Sequence, residues 1–248
     1  IAAKGAPEAI FAVSNLNETE RKNINEQLET LTQKGYRVLG VASTVFTGND
    51  FPKTQQELKF HFAGLVAFYD PPKENIGQVF KEFYDAGINV KIITGDNTAT
   101  TMAIAKQSGF NTGGAAIEGD QLMKMEDAEL QQQLSGTNIF TRMFPEAKLR
   151  IINALKSNNQ IVAMTGDGVN DGPALKAAHI GIAMGKKGSE IAKNAAALVL
   201  ADDDFSKMID AIAMGRKIYT NLKKAIQYII SIHIPIILTE SLPLFFGW

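Results

Sequence analysis

One stretch, Met164-Thr165-Gly166-Asp167-Gly168-Val169-Asn170-Asp171-Gly172-Pro173, constrains this chain more than any other. It follows an apolar run, Ile161 to Met164, that predicts a short buried strand. The glycines break that strand, and Pro173, with its backbone preset for a first helical turn, opens a helix over Ala174–Ala178. Two carboxylates and an amide are thereby left at the carboxyl end of a strand, the edge at which open α/β sheets bind ligands. Asp167 and Asp171 are hard oxygen donors of the kind that hold Mg²⁺ beside a phosphate. A plain surface turn also uses Gly, Asn and Asp. The length of the string and the apolar strand ahead of it favour the metal–phosphate reading.

Around that stretch, strands alternate with helices. A helix over Lys73–Ala86, stopped by Gly87, leads into a strand, Asn89–Ile93, with Thr94-Gly95-Asp96 at its tip and a helix, Thr98–Gln107, beyond. A strand at Asn138–Thr141 and a helix at Pro145–Ser157 come next. Past the aspartates, strands at Ile180–Met184 and Ala197–Leu200 flank a helix at Ser189–Ala195. Asn111–Gly136 reads as a polar insertion with one short helix, Asp127–Leu134. This alternation predicts an α/β, Rossmann-like parallel sheet with helices on both faces. Apolar residues at 45% against 21% charged are enough to fill its core. A net charge of −1 gives nucleic acid no footing, and the absence of cysteine excludes disulfides and thiol chemistry.

Ahead of this region lies a different pattern. Lys4-Gly5-Ala6-Pro7-Glu8 reads as a tight turn before the apolar Ala9–Val13. A helix over Asn17–Lys34 puts Ile24, Leu28 and Leu31 on one face and stops at Gly35. Tyr36–Phe46 is a strand with Arg37 near its start, a solvated edge residue or a phosphate partner. Phe60–Phe68 is a further apolar run. Asp70-Pro71-Pro72 then stops regular structure and marks a domain boundary. No signal peptide opens the chain, and Ile1 is no initiator methionine, so the sequence reads as a fragment.

After Asp202-Asp203-Asp204 the chain is helical from Phe205 onward, first basic (Lys207, Arg216, Lys217, Lys223, Lys224), then mostly apolar from Ile226 to Trp248. A bilayer needs about 20 such residues. The positive charge ahead would keep that end cytoplasmic, and Trp248 suits an interface. Pro235 and Pro243 interrupt the run, and His233 and Glu240 are ionisable, so a buried helix of a soluble protein is the rival. In a bilayer an ionisable residue is costly and marks a pathway, which makes Glu240 a candidate ion ligand. The prolines would free backbone carbonyls beside it.

Phosphoryl transfer asks for positioning and charge neutralisation. Thr94 offers a hydroxyl and nearby amides for phosphoryl oxygens. Asp167 and Asp171 offer oxygens to Mg²⁺, directly or through water. Lys148 offers a cation for a carboxylate or a phosphate. Together they supply the electrostatics of an acyl-phosphate intermediate. A nucleophilic aspartate in an Asp-Lys-Thr-Gly-Thr setting is absent, and Asp96-Asn97-Thr98 is not one.

In this order, Lys4–Glu8, Asp70-Pro71-Pro72, Thr94-Gly95-Asp96, Lys148 and Thr165–Pro173 resemble the P-type cation-transporting ATPases of the haloacid dehalogenase-like superfamily. The likeness continues through Ile180–Gly185, Leu200–Asp203 and Gly215–Tyr219, and it is strongest to the calcium and sodium/potassium branch. The resemblance implies that residues 1–69 are the end of a nucleotide-binding domain, 70–204 most of the phosphorylation domain, 205–225 a stalk helix and 226–248 part of the fifth transmembrane helix. It implies ATP contacts from Lys4, Gly5, Arg37, Thr94, Gly95 and Asp96. Thr94, Gly95 and Lys148 would engage the phosphoryl group, and Asp167 would hold Mg²⁺ with Asn170 and Asp171 in support. The partners implied are ATP, a transported cation, the bilayer and the remainder of the pump, which would carry the nucleophile upstream. Gly172 stands where the family usually has alanine. Ile232-His233-Ile234-Pro235-Ile236 stands where calcium pumps place an asparagine and a glutamate, so the ion is left open and Glu240 is a substitute. The rival readings are a soluble phosphatase of the same superfamily and a non-catalytic nucleotide- or metal-binding module.

Overall fold

A computed structural model describes residues 1–48 and 50–247. Trp248, expected at a membrane interface, lies outside the described residues.

The chain opens on an antiparallel sheet of β1 (Ala2–Gly5), β2 (Arg37–Ser43) and β3 (His61–Phe68), in the order β1-β2-β3. Between the first two strands run α1 (Pro7–Val13) and α2 (Glu18–Gln33). The expected turn at Lys4–Glu8 is narrower than the sequence suggested: Lys4 and Gly5 belong to β1, and Pro7 opens α1. Asn17 caps α2 reciprocally with Glu20, through bonds of 2.8 and 3.0 Å, a feature that contributes about 1 kcal/mol. Strand β2 ends at Ser43, three residues before the apolar run does.

One face of this sheet packs on α1, with Ile10, Ala42 and Phe60 buried and Phe11 edge-on to Phe62 at 5.5 Å. The pairing register puts Lys4 opposite Val41, Arg37 opposite Phe68 and Leu39 opposite Val66. Side chains alternate along a strand, so these residues share the other face, where Val66 and Phe68 are exposed.

The second region is α/β. Its elements are α3 (Ile76–Asp85), β4 (Ile92–Ile93), α4 (Thr98–Gln107), β5 (Ile117–Glu118), α5 (Gly119–Lys124), α6 (Asp127–Gly136), β6 (Ile139–Thr141) and α7 (Pro145–Ser157). Then come β7 (Ala163–Gly166), α8 (Gly172–Ala177), β8 (Ile180–Met184), α9 (Glu190–Ala195) and β9 (Leu198–Leu200). The strands form two three-stranded parallel sheets, β4-β6-β5 and β7-β8-β9. Helix α7 joins them. Its neighbours Ile151 and Ile152 point into different cores, Ile151 onto Phe140, Leu122 and Leu130 and Ile152 onto Met164, Leu175 and Ala183. Each such buried side chain contributes roughly 1.5–3 kcal/mol, so the bridge is apolar first.

Four expectations change here. Residues 111–136 are no insertion: β5 is an edge strand of the β4-β6-β5 sheet, and Leu122, Leu130 and Leu134 from α5 and α6 are buried in its core. The strand expected at 89–93 pairs only over Ile92–Ile93, and the one expected at 161–164 pairs over Ala163–Gly166. Ile161 is 80% exposed while Val162 and Met164 are buried, so this strand alternates. Finally, α10 (Ser206–Phe246) continues through Pro235 and Pro243, which do not interrupt it. The segment Ser206–Pro243 is long and apolar enough to cross a membrane, and its most apolar window is not buried against the rest of the chain.

Candidate functional site

The end of β7 is built around a side chain that folds back over it. A short 3-10 turn, Val169–Asp171, returns Asp171 above Gly166. A Cβ at Gly166 would lie 2.6 Å from the Asp171 Cβ, so only glycine fits beneath it. The Asp171 Oδ2 accepts from the amides of Asp167 (3.3 Å) and Gly168 (3.1 Å), and its Oδ1 accepts from the Lys148 Nζ at 2.7 Å. Lys148 and Asp171 are only 13% and 10% exposed, so this pair is shielded from screening.

Both Asp171 oxygens accept hydrogen bonds within the protein, which leaves Asp167 the more open of the two expected metal ligands. Asp167 is the exposed carboxylate of the loop. Its carbonyl accepts from the Ser189 amide at 2.8 Å, which fixes its backbone from the other side. Asn170 is exposed on the same turn. Among the described residues no three His, Cys, Asp or Glu side chains converge as a metal cluster. One exposed carboxylate nonetheless suits Mg²⁺, which keeps several waters and takes phosphate oxygens besides one or two carboxylates.

The Thr94 loop follows β4. The Thr94 amide donates to Phe140, its carbonyl accepts from Met143 at 2.9 Å, and its hydroxyl accepts from the Asp96 amide at 3.1 Å. The hydroxyl proton stays available for a ligand. Gly95 is exposed, and a Cβ there would meet only the Met143 carbonyl at 3.6 Å, an ordinary contact. Met143 stands just before α7, whose first turn carries Lys148. A continuous run of bonds thus leads from Thr94 through Met143, α7 and Lys148 to Asp171 and Asp167.

The first sheet meets this loop at one corner. Arg37 Nε lies 3.4 Å from the Asp96 Oδ1, and Arg142 bridges Glu8 (3.1 Å) and Glu118 (3.5 Å). Arg37 is 68% exposed, and such a pair contributes less than about 1 kcal/mol. Lys4 lies opposite Val41, four residues from Arg37 along β2, or about 13 Å. Glu240 is remote, roughly 50 Å along α10 from Ser206 at 1.5 Å per residue.

Sequence reasoning missed Arg142 and the apolar platform of Leu39, Val66 and Phe68. Strand β2 is apolar on both faces, which hid its parity. Arg142 sits at φ +52°, a conformation its residue type does not advertise.

Residues 53–179, just over half the chain, match the haloacid dehalogenase-like hydrolases, and residues 1–75 match the cytoplasmic domain N of P-type ATPases. The chain belongs to the haloacid dehalogenase-like hydrolase family, in its P-type ATPase branch. Among curated relatives it is 37% identical over 260 residues to calcium-transporting ATPase 1 of Lactococcus lactis, with all of this chain covered. It is 41% identical over 218 residues to the cation-transporting ATPase pma1 of Synechocystis, with 86% covered. To calcium-transporting ATPase 1 of Saccharomyces cerevisiae it is 38% identical over 220 residues, with 87% covered. The chain spans 30%, 24% and 23% of those proteins, less than a third of each.

Proposed function

We propose that this chain is the catalytic and stalk portion of an ATP-driven cation pump. It serves Mg²⁺-dependent transfer of the ATP γ-phosphoryl group to an aspartate elsewhere in the polypeptide, and hydrolysis of the aspartyl phosphate that results. The observation that carries this reading is the run of bonds Lys148–Asp171–Asp167, which frees one carboxylate at a strand end by engaging the other.

In this reading Asp167 supplies the metal-binding oxygen, and the ion neutralises charge on the phosphoryl oxygens. Asp171 and Lys148 hold the Asp167 loop in place, and Asn170 lies beside it. Thr94 and the amide of Gly95 hold the transferred group, with the Asp96 amide fixing the Thr94 hydroxyl. The open face carrying Lys4, Arg37, Leu39, Val66 and Phe68 suits ATP: apolar surface for the base, two cations for the phosphates, and Gly5 beside them. Arg37 leaves Asp96 for a phosphate at little cost, because their pair is exposed.

Both β4 and β7 are edge strands, and each bears one of the two loops at its carboxyl end. This favours a nucleophile on a parallel strand entering from the rest of the pump, since the chain contains no Asp-Lys-Thr-Gly-Thr string. We infer the division 1–69, 70–204, 205–225 and 226–248 for nucleotide-binding, phosphorylation, stalk and membrane parts, with residues up to about 225 cytoplasmic. Pro235 and Pro243 lack N–H groups, which leaves the carbonyls of Ser231 and Thr239 without their helical donors. Those oxygens and Glu240 are the cation ligands this chain offers.

The test is acid-stable, hydroxylamine-labile label from radiolabelled ATP. The full-length protein labels with Mg²⁺ and its Asp167→Ala variant does not, while the isolated chain stays unlabelled. Normal turnover of Asp167→Ala refutes the assignment.

A further inference from the structure

Three consecutive aspartates, Asp202, Asp203 and Asp204, close the α/β region, and only the middle one is buried, at 8% exposure. Its backbone sits at φ +54°, in the left-handed region. That twist turns the carboxylate inward onto the loop after β8, where its two oxygens accept from the amides of Lys186 (3.0 Å) and Lys187 (2.9 Å). Its carbonyl accepts from the Lys73 ammonium. Burial pushes the Asp203 carboxyl up, but the amides of Lys186, Lys187 and Gly185 and the Lys73 charge outweigh burial and leave it below the usual carboxylate range.

The loop so held leads directly to Asp167. Gly185 donates to the Leu200 carbonyl at 2.9 Å, and the Ser189 amide donates to the Asp167 carbonyl at 2.8 Å. The loop has no slack: a Cβ on Gly188 would lie 2.0 Å from the Met184 carbonyl oxygen. On the other side, Asp204 accepts from the Ser206 amide at 3.0 Å and so fixes the start of α10. The carboxylate loop and the root of the long helix therefore share one anchor.

We propose that Asp203 is a positioning residue, which holds residues 185–189 and through Ser189 sets the backbone of Asp167 relative to the root of α10. A purely local turn-stabilising role would end at Lys187. A positioning role reaches Asp167, so displacement at the root of α10 is felt at the metal-binding carboxylate. The proposal rests on the pump reading for the word metal, but its geometry does not.

The experiment compares Asp203→Ala, Asp203→Asn and Asp204→Ala in the full-length protein by amide hydrogen exchange and by the Mg²⁺ concentration for half-maximal phosphorylation. Asn tolerates the left-handed conformation and keeps one acceptor, so it separates the hydrogen bonds from the backbone. Asp203→Ala raises exchange about tenfold in residues 185–190 and in 165–171, as expected for loss of charge-assisted bonds. It leaves 145–157 unchanged, and the half-saturating Mg²⁺ rises by a similar factor. Asp203→Asn gives a smaller shift in both, and Asp204→Ala, which loosens the start of α10 while the Lys186 and Lys187 amides stay held, gives a smaller shift still. A lower folded fraction would reduce the amount of phosphoenzyme without moving that half-saturation point. Exchange confined to 185–190, with 165–171 unchanged, overturns the inference. If the unmodified protein forms no phosphoenzyme at any Mg²⁺ concentration, the pump reading fails, and the exchange pattern alone decides the role of Asp203.

Discussion

Replacing Lys148 with methionine tests the centre of the site, because it removes a charge and keeps most of the side-chain volume. At 2.7 Å and an effective dielectric near 20, the pair attracts by about 6 kcal/mol before desolvation. What the variant loses is smaller. It is the cost of leaving Asp171 buried without a counter-charge, typically about 3–5 kcal/mol. Asp171 keeps its bonds from the amides of Asp167 and Gly168 and is still 10% exposed, so the loss falls at the low end, about 3 kcal/mol. With a urea slope of about 3 kcal/mol/M, the unfolding midpoint of the α/β region moves down by about 1 M. Circular dichroism of the chain in detergent reads that shift. The double variant Lys148→Met/Asp171→Asn removes both charges and keeps an acceptor for the two amides. It should recover about 2 kcal/mol, a coupling that only neighbours in contact show. A midpoint change under about 0.2 M, or strictly additive effects, would refute the claim that this pair holds the loop.

Other perturbations separate packing from charge. Gly166→Ala forces a Cβ to 2.6 Å from Asp171 and should cost about 1–3 kcal/mol, with phosphorylation lost in parallel. Gly172→Ala is its opposite: the added Cβ meets only Ile191 at 3.7 Å in a helical backbone, so a gain of about 0.4–1 kcal/mol in urea unfolding is expected. Arg37→Ala should leave the urea midpoint within about 0.5 kcal/mol of the parent, since its pair with Asp96 is exposed. The same variant should weaken ATP binding about tenfold in fluorescence titration, through a lost charge-assisted phosphate contact. Asp203 and Asp204 both titrate below the ordinary carboxyl value of 3.8, Asp204 through the Ser206 backbone and side chain. Groups depressed on folding stabilise fully above 3.8, and that stabilisation is lost as pH falls through the lower folded-state values. Acid unfolding below about pH 4 should therefore be less steep in Asp203→Asn than in the parent. An unchanged slope counts against the depressed carboxyl.

What the sequence disclosed was local. The helices at Thr98–Gln107 and Pro145–Ser157 fall where they were expected because Asn97 caps one and Pro145 opens the other. Strands β4 and β5 were misjudged because two paired residues carry no periodicity, and strand length depends on neighbours far along the chain. The roles of Asp167 and Asp171 could not be separated by spacing. What separates them is Lys148, 23 residues before Asp171, which claims one carboxylate and leaves the other to solvent. The same holds for Asp202-Asp203-Asp204, where only the left-handed backbone at the middle residue shows which carboxylate turns inward.

This division of labour explains why the site survives on two separate sheets. The loop after β4 holds one end of the proposed phosphoryl group and the loop after β7 the other, and no strand pairing within this chain ties β4 to β7 among the described residues. Their relative position is set by α7, through Ile151 and Ile152 in adjoining cores and through Lys148 at its first turn. Apolar contacts fix how far apart the two sheets lie but are tolerant of small slides, because they have no direction. The Lys148–Asp171 bond is directional and shielded, so it fixes the remaining freedom to within a hydrogen bond's tolerance. Helix α7 is thus the element on which the geometry of the proposed transfer depends, and substitutions at Ile151 or Ile152 should disturb phosphorylation of the full-length protein even though neither residue touches the site.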